Sequence, residues 1–172
     1  MQSKKVTIFG TSKAKSGEPM FELAFELGSE LAGMGCTIVN GGYAAPMNTD
    51  DTLVLEKGAE TIGVTCQAFG RAGPNQYISK EIPTQNLDER LEKLIELGDA
   101  YVILPGGTGT LLELAMVWEL KNKGFVNLSK PIILLGDFWN PLVNVIKADD
   151  PESGTCLQLV VSVSDIVKVL GR

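Results

Sequence analysis

The stretch Ala100-Tyr101-Val102-Ile103-Leu104-Pro105-Gly106-Gly107-Thr108-Gly109-Thr110-Leu111-Leu112-Glu113 decides how the chain is read. Ala100 to Leu104 is an unbroken apolar run of strand length, as a strand covered on both faces requires. It runs directly into Pro105 and a glycine loop. From Thr110 to Lys121 the pattern becomes helical and is apolar nearly all round, through Leu111, Leu112, Leu114, Ala115, Met116, Val117, Trp118 and Leu120. A helix of that kind is buried on more than one side, either in the core or against a partner subunit. Strand, glycine loop and helix in this order are the repeating unit of a parallel α/β sheet.

The rest of the chain repeats the alternation. Upstream, Val6 to Phe9 reads as a strand, and Pro19 to Met34 as a helix that opens on a proline and stops at Gly35. Thr37 to Val39 is a second strand. A helix of roughly Asn48 to Gly58 precedes a third strand, Thr61 to Thr65, and a polar glycine-rich loop, Gln67 to Asn75. A short strand near Tyr77 to Ile82 and a helix marked by Leu87, Leu91, Leu94 and Ile95 complete the upstream half. Downstream come a strand at Pro131 to Leu135, a helix at Pro141 to Ile146, a strand at Leu159 to Val161, and a closing helix capped by Ser162 or Ser164. The expected fold is α/β, Rossmann-like and doubly wound, a mainly parallel sheet with helices on both faces, in one domain over residues 1–172.

Composition narrows the chemistry. No histidine is present among the 172 residues, which removes Ser-His-Asp and Cys-His catalysis and imidazole metal sites together. Cys36, Cys66 and Cys156 lie far apart without C-x-x-C spacing, so neither a disulfide framework nor a thiolate metal site is expected. With 15 basic against 21 acidic residues the net charge is -6, which repels a nucleic-acid backbone. No apolar run approaches the roughly 20 residues that span a bilayer, and none precedes the first strand. A cytoplasmic protein that binds neither nucleic acid nor membrane is the expectation.

Ligands of open parallel sheets bind beyond the carboxyl ends of the strands. Three such ends carry glycine here: Gly10-Thr11-Ser12, Gly41-Gly42, and Pro105-Gly106-Gly107-Thr108-Gly109-Thr110. A single glycine at a strand end is ordinarily a turn. Three ends together, the last with three glycines and two threonines, point to backbone amides left open for a phosphate, helped by the partial positive charge of the next helix. The loop is not a Walker A loop, because no glycine is followed by Lys-Ser or Lys-Thr in that frame. Nor is it a dinucleotide fingerprint, since Leu112 stands where the third glycine belongs.

Pro105-Gly106-Gly107-Thr108-Gly109-Thr110-Leu111-Leu112-Glu113 resembles the PGGxGTxxE signature of the LOG ("lonely guy") family, cytokinin-activating phosphoribohydrolases once labelled lysine decarboxylases. Leu87-Asp88-Glu89-Arg90 is similar to that family's arginine-bearing helix, and Asn40-Gly41-Gly42 with Pro46-Met47 to its second glycine loop. The resemblance implies hydrolysis of the N-glycosidic bond of a purine nucleoside 5′-monophosphate, such as a cytokinin riboside monophosphate or AMP, to free base and ribose 5-phosphate. It implies Arg90 and Glu113 as catalytic pair. It places phosphate or nucleotide at Gly10, Thr11, Ser12, Gly41, Gly42, Met47 and the loop Pro105 to Thr110. It implies neither metal nor cofactor, and a homodimer formed through the helix Thr110 to Lys121. A pyridoxal phosphate lysine, which decarboxylation would need, has no recognisable setting.

Two alternatives stand beside this reading. Thr110-Leu111-Leu112-Glu113 is also a capping box, in which Glu113 would only bond back to the start of its helix. The related molybdenum-cofactor carriers use a similar framework to bind without hydrolysing. The chain also departs from the family pattern: Asp88, Leu91 and Met116 replace a histidine, a lysine and a second glutamate, and Tyr43-Ala44-Ala45 stands where a further glycine is common.

Overall fold

Strand and helix alternate along the chain because each apolar run long enough for a strand is followed by an amphipathic stretch that can cover it. In the computed structural model the described residues are 3–11, 13–43, 59–71 and 73–171. Their strands are β1 (Lys5–Phe9), β2 (Thr37–Asn40), β3 (Thr61–Cys66), β4 (Lys80–Thr84), β5 (Ala100–Ile103), β6 (Ile132–Leu135) and β7 (Leu157–Val160). Their helices are α1 (Pro19–Gly33), α2 (Leu87–Leu97), α3 (Thr108–Asn122), α4 (Asn140–Asp149) and α5 (Val163–Leu170). The fold is of the expected Rossmann-like α/β class. The helix expected at Asn48 to Gly58 lies outside the described residues, as do Ser12 and Met47.

Two compact units make up the chain, one from residues 1–8 and 12–99, the other from residues 9–11 and 100–172. In the first, the strand order is β4-β3-β2-β1, all parallel. β2 and β3 are buried throughout, whereas β4, at the end of the order, exposes Lys80 and Glu81 and contains Pro83. A proline cannot donate to a ladder and is tolerated in an edge strand, and edge charges discourage pairing with another chain. β4 begins three residues later than the sequence suggested, because Tyr77 and Ser79 instead serve Thr61: Thr61 Oγ1 donates to the Tyr77 carbonyl (2.7 Å) and the Thr61 amide to Ser79 Oγ (2.9 Å). α1 starts on Pro19 and is followed by Gly35 in the left-handed region (φ 72°), as its stop signal required.

In the second unit β5, β6 and β7 pair in parallel, with Tyr101 opposite Ile132 and Leu135 opposite Val160. β5 and β6 are wholly buried, as their continuous apolar runs demanded. α5 is capped by Ser162, whose Oγ accepts from the Asp165 amide (3.3 Å), which decides between the two serines. α4 runs three residues beyond Ile146, to Asp149. At the end of α3, the half-turn Lys121 side chain is buried and donates from Nζ to the Lys130 carbonyl (2.6 Å).

Candidate functional site

The loop after β5 takes its form from a steric constraint at Gly106. A Cβ there would lie 2.2 Å from Thr110 Oγ1, a separation no side chain can occupy, so only glycine lets the chain turn from β5 into α3 with Thr110 buried beneath it. Gly107 and Gly109 differ. Among the described residues, a Cβ at either would meet no atom within 4 Å; neither has a positive φ, and Gly107 is exposed. The fold does not require glycine at these two positions. Their bare backbone is free to lie against something outside the chain.

α3 begins at Thr108, with Gly107 as its N-cap, and the first helical bond runs from the Leu111 amide to the Gly107 carbonyl (2.9 Å). The N-cap carries no side chain, so no side-chain cap covers the amides of the first turn. This removes the capping-box reading of Thr110 to Glu113. Thr110 is inside the helix, two residues past its start, and Glu113 stands nearly two turns from the N-cap, too far along to serve the first amides. The helix begins two residues earlier than expected because Gly107 adopts the extended cap conformation (φ -91°, ψ -156°), leaving Thr108 and Gly109 as its first residues.

Two contacts fix the base of this loop. Trp139, buried at the start of α4, donates from its indole Nε1 to the Leu104 carbonyl (3.1 Å), one residue before Pro105. The Leu104 amide donates to the Phe9 carbonyl (2.8 Å), and Leu104 Cβ comes within 3.1 Å of where a Cβ of Gly10 would stand. Gly10 thus has a packing reason to be glycine, whatever else Thr11 beside it does. A buried indole nearly always finds an acceptor, which was the one sequence signal that could have singled out Trp139.

In the other unit, Arg90 is not the solvated rim residue that an arginine at the edge of an apolar stripe usually is. It sits at a core position of α2 with Leu91, Leu94 and Ile95 and is only 8% exposed. The start of α2 aims it inward: Asn86 caps the helix by accepting from the Glu89 amide (3.0 Å), and the Glu89 carboxylate reaches back to the Gln85 amide (2.9 Å). This reciprocal arrangement is similar to a capping box, with Glu89 serving the amide just before the cap residue, and it lies beside Arg90 rather than at Glu113. Arg90 Nε donates to the Val64 carbonyl (2.9 Å) and Nη2 to the Gly41 carbonyl (3.3 Å). A Cβ on Gly41 would stand 1.9 Å from Arg90 Nη2, so the second glycine loop is shaped by the guanidinium it encloses. Gly42 follows in the left-handed region (φ 75°), its amide held by Asn40 Oδ1 (2.7 Å).

Aromatic rings complete the setting of Arg90. Its guanidinium carbon lies 5.6 Å from the Phe69 ring centroid and 6.0 Å from that of Tyr43. Arg71 lies over Tyr43 at 4.9 Å. The Tyr43 hydroxyl accepts from the Cys66 amide (2.8 Å) and donates to the Cys66 carbonyl (3.1 Å), which ties the glycine loop to the end of β3. None of Tyr43, Phe69 and Arg71 was singled out as a site residue from the sequence. The only trace was Tyr43 standing where a glycine is common.

A family model described as "possible lysine decarboxylase" matches residues 47–170. A cytokinin riboside 5′-monophosphate phosphoribohydrolase of Rhodococcoides fascians is 29% identical over 149 residues, 84% of this chain and 74% of that protein. One of the same description from Mycobacterium tuberculosis is 32% identical over 123 residues, 70% of this chain and 64% of its own length. Among solved structures, the structural-genomics protein TM1055 superposes with a TM-score of 0.77 at 25% identity, covering 98% of both chains. The molybdenum cofactor binding protein of Rippkaea orientalis shares the fold with a TM-score of 0.76 at 20% identity, over 99% of this chain and 97% of its own.

Proposed function

Because this chain belongs to the LOG family, the family of the "possible lysine decarboxylase" model, we propose that it is a phosphoribohydrolase acting on a purine nucleoside 5′-monophosphate. The observation that carries the reading is the loop Pro105 to Thr110. It combines a glycine that the fold needs, Gly106, with two that it does not, at the uncapped start of a fifteen-residue helix. Open amides and the helix dipole suit the 5′-phosphate. Cleavage of the N-glycosidic bond builds oxocarbenium character on the ribose, and a carboxylate stabilises it while orienting water. Glu113 is the carboxylate of the signature, now without a capping role to explain it. Arg90, buried and charged, positions ribose or phosphate.

The test is release of free base and ribose 5-phosphate from a panel of nucleoside 5′-monophosphates. Absence of release from every one of them, with binding retained, would favour a carrier of the kind seen among the structural relatives. The phosphate site has its own test in Gly107→Ser. Serine is a strong N-cap and has room here, so its hydroxyl will accept an amide of the first turn and hold or slightly raise the melting temperature. The same bond removes an amide from the phosphate, and affinity for AMP in calorimetry should fall about tenfold or more. Unchanged affinity would take the loop out of the site.

The reading includes a cytoplasmic homodimer that binds neither nucleic acid nor membrane. Among the described residues no helix is long and apolar enough to cross a membrane. α3 supports the assembly. Leu114, Val117 and Trp118 are buried within the unit, while Leu111 (36% exposed) and Leu112 (43%) face outward, and a groove runs between Leu111, Ala115 and Trp118 of α3 and Leu142 and Ile146 of α4. One packed face does not use up the apolar surface of this helix. Light scattering at micromolar concentration should give twice the chain mass, and Leu112→Asp should shift it toward the monomer. A monomer for the wild type would remove the assignment.

A further inference from the structure

The carbonyls of Val64 and Gly41, to which Arg90 donates, differ in how firmly they are themselves held. Val64, which receives Nε, lies within β3, a strand buried along its whole length. Gly41, which receives Nη2, lies in the turn that leaves β2. That turn presses against β3 so closely that a Cβ on Gly42 would stand 2.9 Å from Thr65 Cγ2. Asn40 Oδ1 takes the Gly42 amide (2.7 Å) and the Asn75 amide donates to the Gly42 carbonyl (2.8 Å). Past the end of the β2–β3 ladder, at the Asn40–Gly63 pair, the tie between turn and strand is a side chain. The Tyr43 hydroxyl accepts from the Cys66 amide (2.8 Å) and donates to the Cys66 carbonyl (3.1 Å), so one atom engages both backbone groups at the end of β3.

Resting on the phosphoribohydrolase reading, in which Arg90 meets the substrate, we propose that Tyr43 is a positioning residue for the reaction: its hydroxyl locks the turn at Gly41 to β3 and thereby fixes the plane of the Arg90 guanidinium. A planar group held through one N–H can still rotate about that bond, whereas a second bond from another nitrogen sets its plane. The Gly41 carbonyl supplies the second point, and it stays in place only as long as its turn does. The rings of Tyr43 and Phe69, 6.0 Å and 5.6 Å from the guanidinium carbon, add two aromatic walls. Hydroxyl and ring are separable. Tyr43→Phe keeps the wall and drops both bonds to Cys66, while Tyr43→Gly drops wall and bonds together. A guanidinium that keeps its charge but loses its direction is a poor positioning group, because alignment of the reacting parts is what it contributes.

The experiment pairs kinetics with heteronuclear NMR of the arginine side chains, on the full chain and well below the melting temperature of every variant. The Arg90 Nε–H resonance is assigned by its loss in Arg90→Lys. In wild type this proton should be protected from solvent, and Tyr43→Phe should speed its exchange about tenfold or more. Release of free base from AMP should fall about tenfold in kcat in Tyr43→Phe, and further in Tyr43→Gly. In the Arg90→Lys background Tyr43→Phe should cost about twofold at most, since a residue that acts through another is not additive with it. Equal losses in both backgrounds would overturn the positioning role. So would a Tyr43→Phe variant that melts lower but keeps wild-type kcat and wild-type Nε–H exchange, which would reduce Tyr43 to packing. Wild type that releases no base from any nucleoside 5′-monophosphate would overturn the proposed function instead, and the exchange rates would still decide whether Tyr43 locks the guanidinium.

Discussion

Glu113→Gln is expected to reduce turnover of a nucleoside 5′-monophosphate by a factor on the order of a hundred or more, with melting temperature and substrate affinity nearly unchanged. Glutamine has the same shape and can still accept a hydrogen bond, so the substitution removes little except negative charge. A capping carboxylate would tolerate that, because the bond to an amide survives at a cost on the order of 1 kcal/mol or less. Glu113 is not placed to cap: α3 begins at Gly107 and Thr108, and the side chain leaves the helix nearly two turns later, half-buried. On the proposed mechanism the charge acts on the oxocarbenium-like transition state, where its loss appears in kcat and not in KM. Steady-state kinetics on wild type and mutant under identical conditions decide the matter, and full activity in the mutant would sink the mechanism.

Arg90→Ala should give an effect of similar size on turnover and a different one on the fold. The guanidinium is buried and bonded to the carbonyls of Val64 and Gly41, so truncation leaves two acceptors without their donor and a void beside Phe69 and Tyr43. Each unsatisfied buried group costs about 1–3 kcal/mol, and the melting temperature should drop by several degrees. Arg90→Lys separates the two effects. It retains the charge but cannot keep both bonds with a single ammonium, so stability should recover in part while turnover stays depressed. Near-normal turnover in the lysine variant would mean that Arg90 contributes charge and packing without positioning substrate. Affinity should fall in the alanine variant if the guanidinium holds phosphate or ribose, which calorimetry reads independently of kcat.

Much of the α/β alternation was written in local pattern. β5 and β6 are short uninterrupted apolar runs, and such runs are buried on both faces wherever they pair. Pro19, Gly35, Asn86 and Ser162 each act through the backbone of their immediate neighbours, so a window of a few residues contains the whole cause. The signature from Pro105 to Glu113 was legible for the same reason, as was the identity of Arg90 through the short motif around it. Where the local signal was ambiguous, the boundary moved. Thr110 to Glu113 has the spacing of a capping box, but the cap is set by the φ and ψ of Gly107 and by the contact that forbids a side chain on Gly106.

By itself the sequence determined the order of the strands and helices of the described residues and the glycine loop after β5, because each of these depends on side chains within one or two turns of one another. Only the tertiary structure decided what those residues touch. Arg90 bonds to carbonyls 26 and 49 residues away, and Trp139 reaches one 35 residues away. Tyr43 and Phe69 meet around one guanidinium, and Arg71 lies over the Tyr43 ring, although a whole strand separates Tyr43 from the other two. Contacts of this kind leave no periodicity along the chain: they arise when parallel pairing brings the carboxyl ends of β2 and β3 side by side, and hydrogen-bond and ring geometry at that edge then fixes which side chains are buried and which remain open to a ligand.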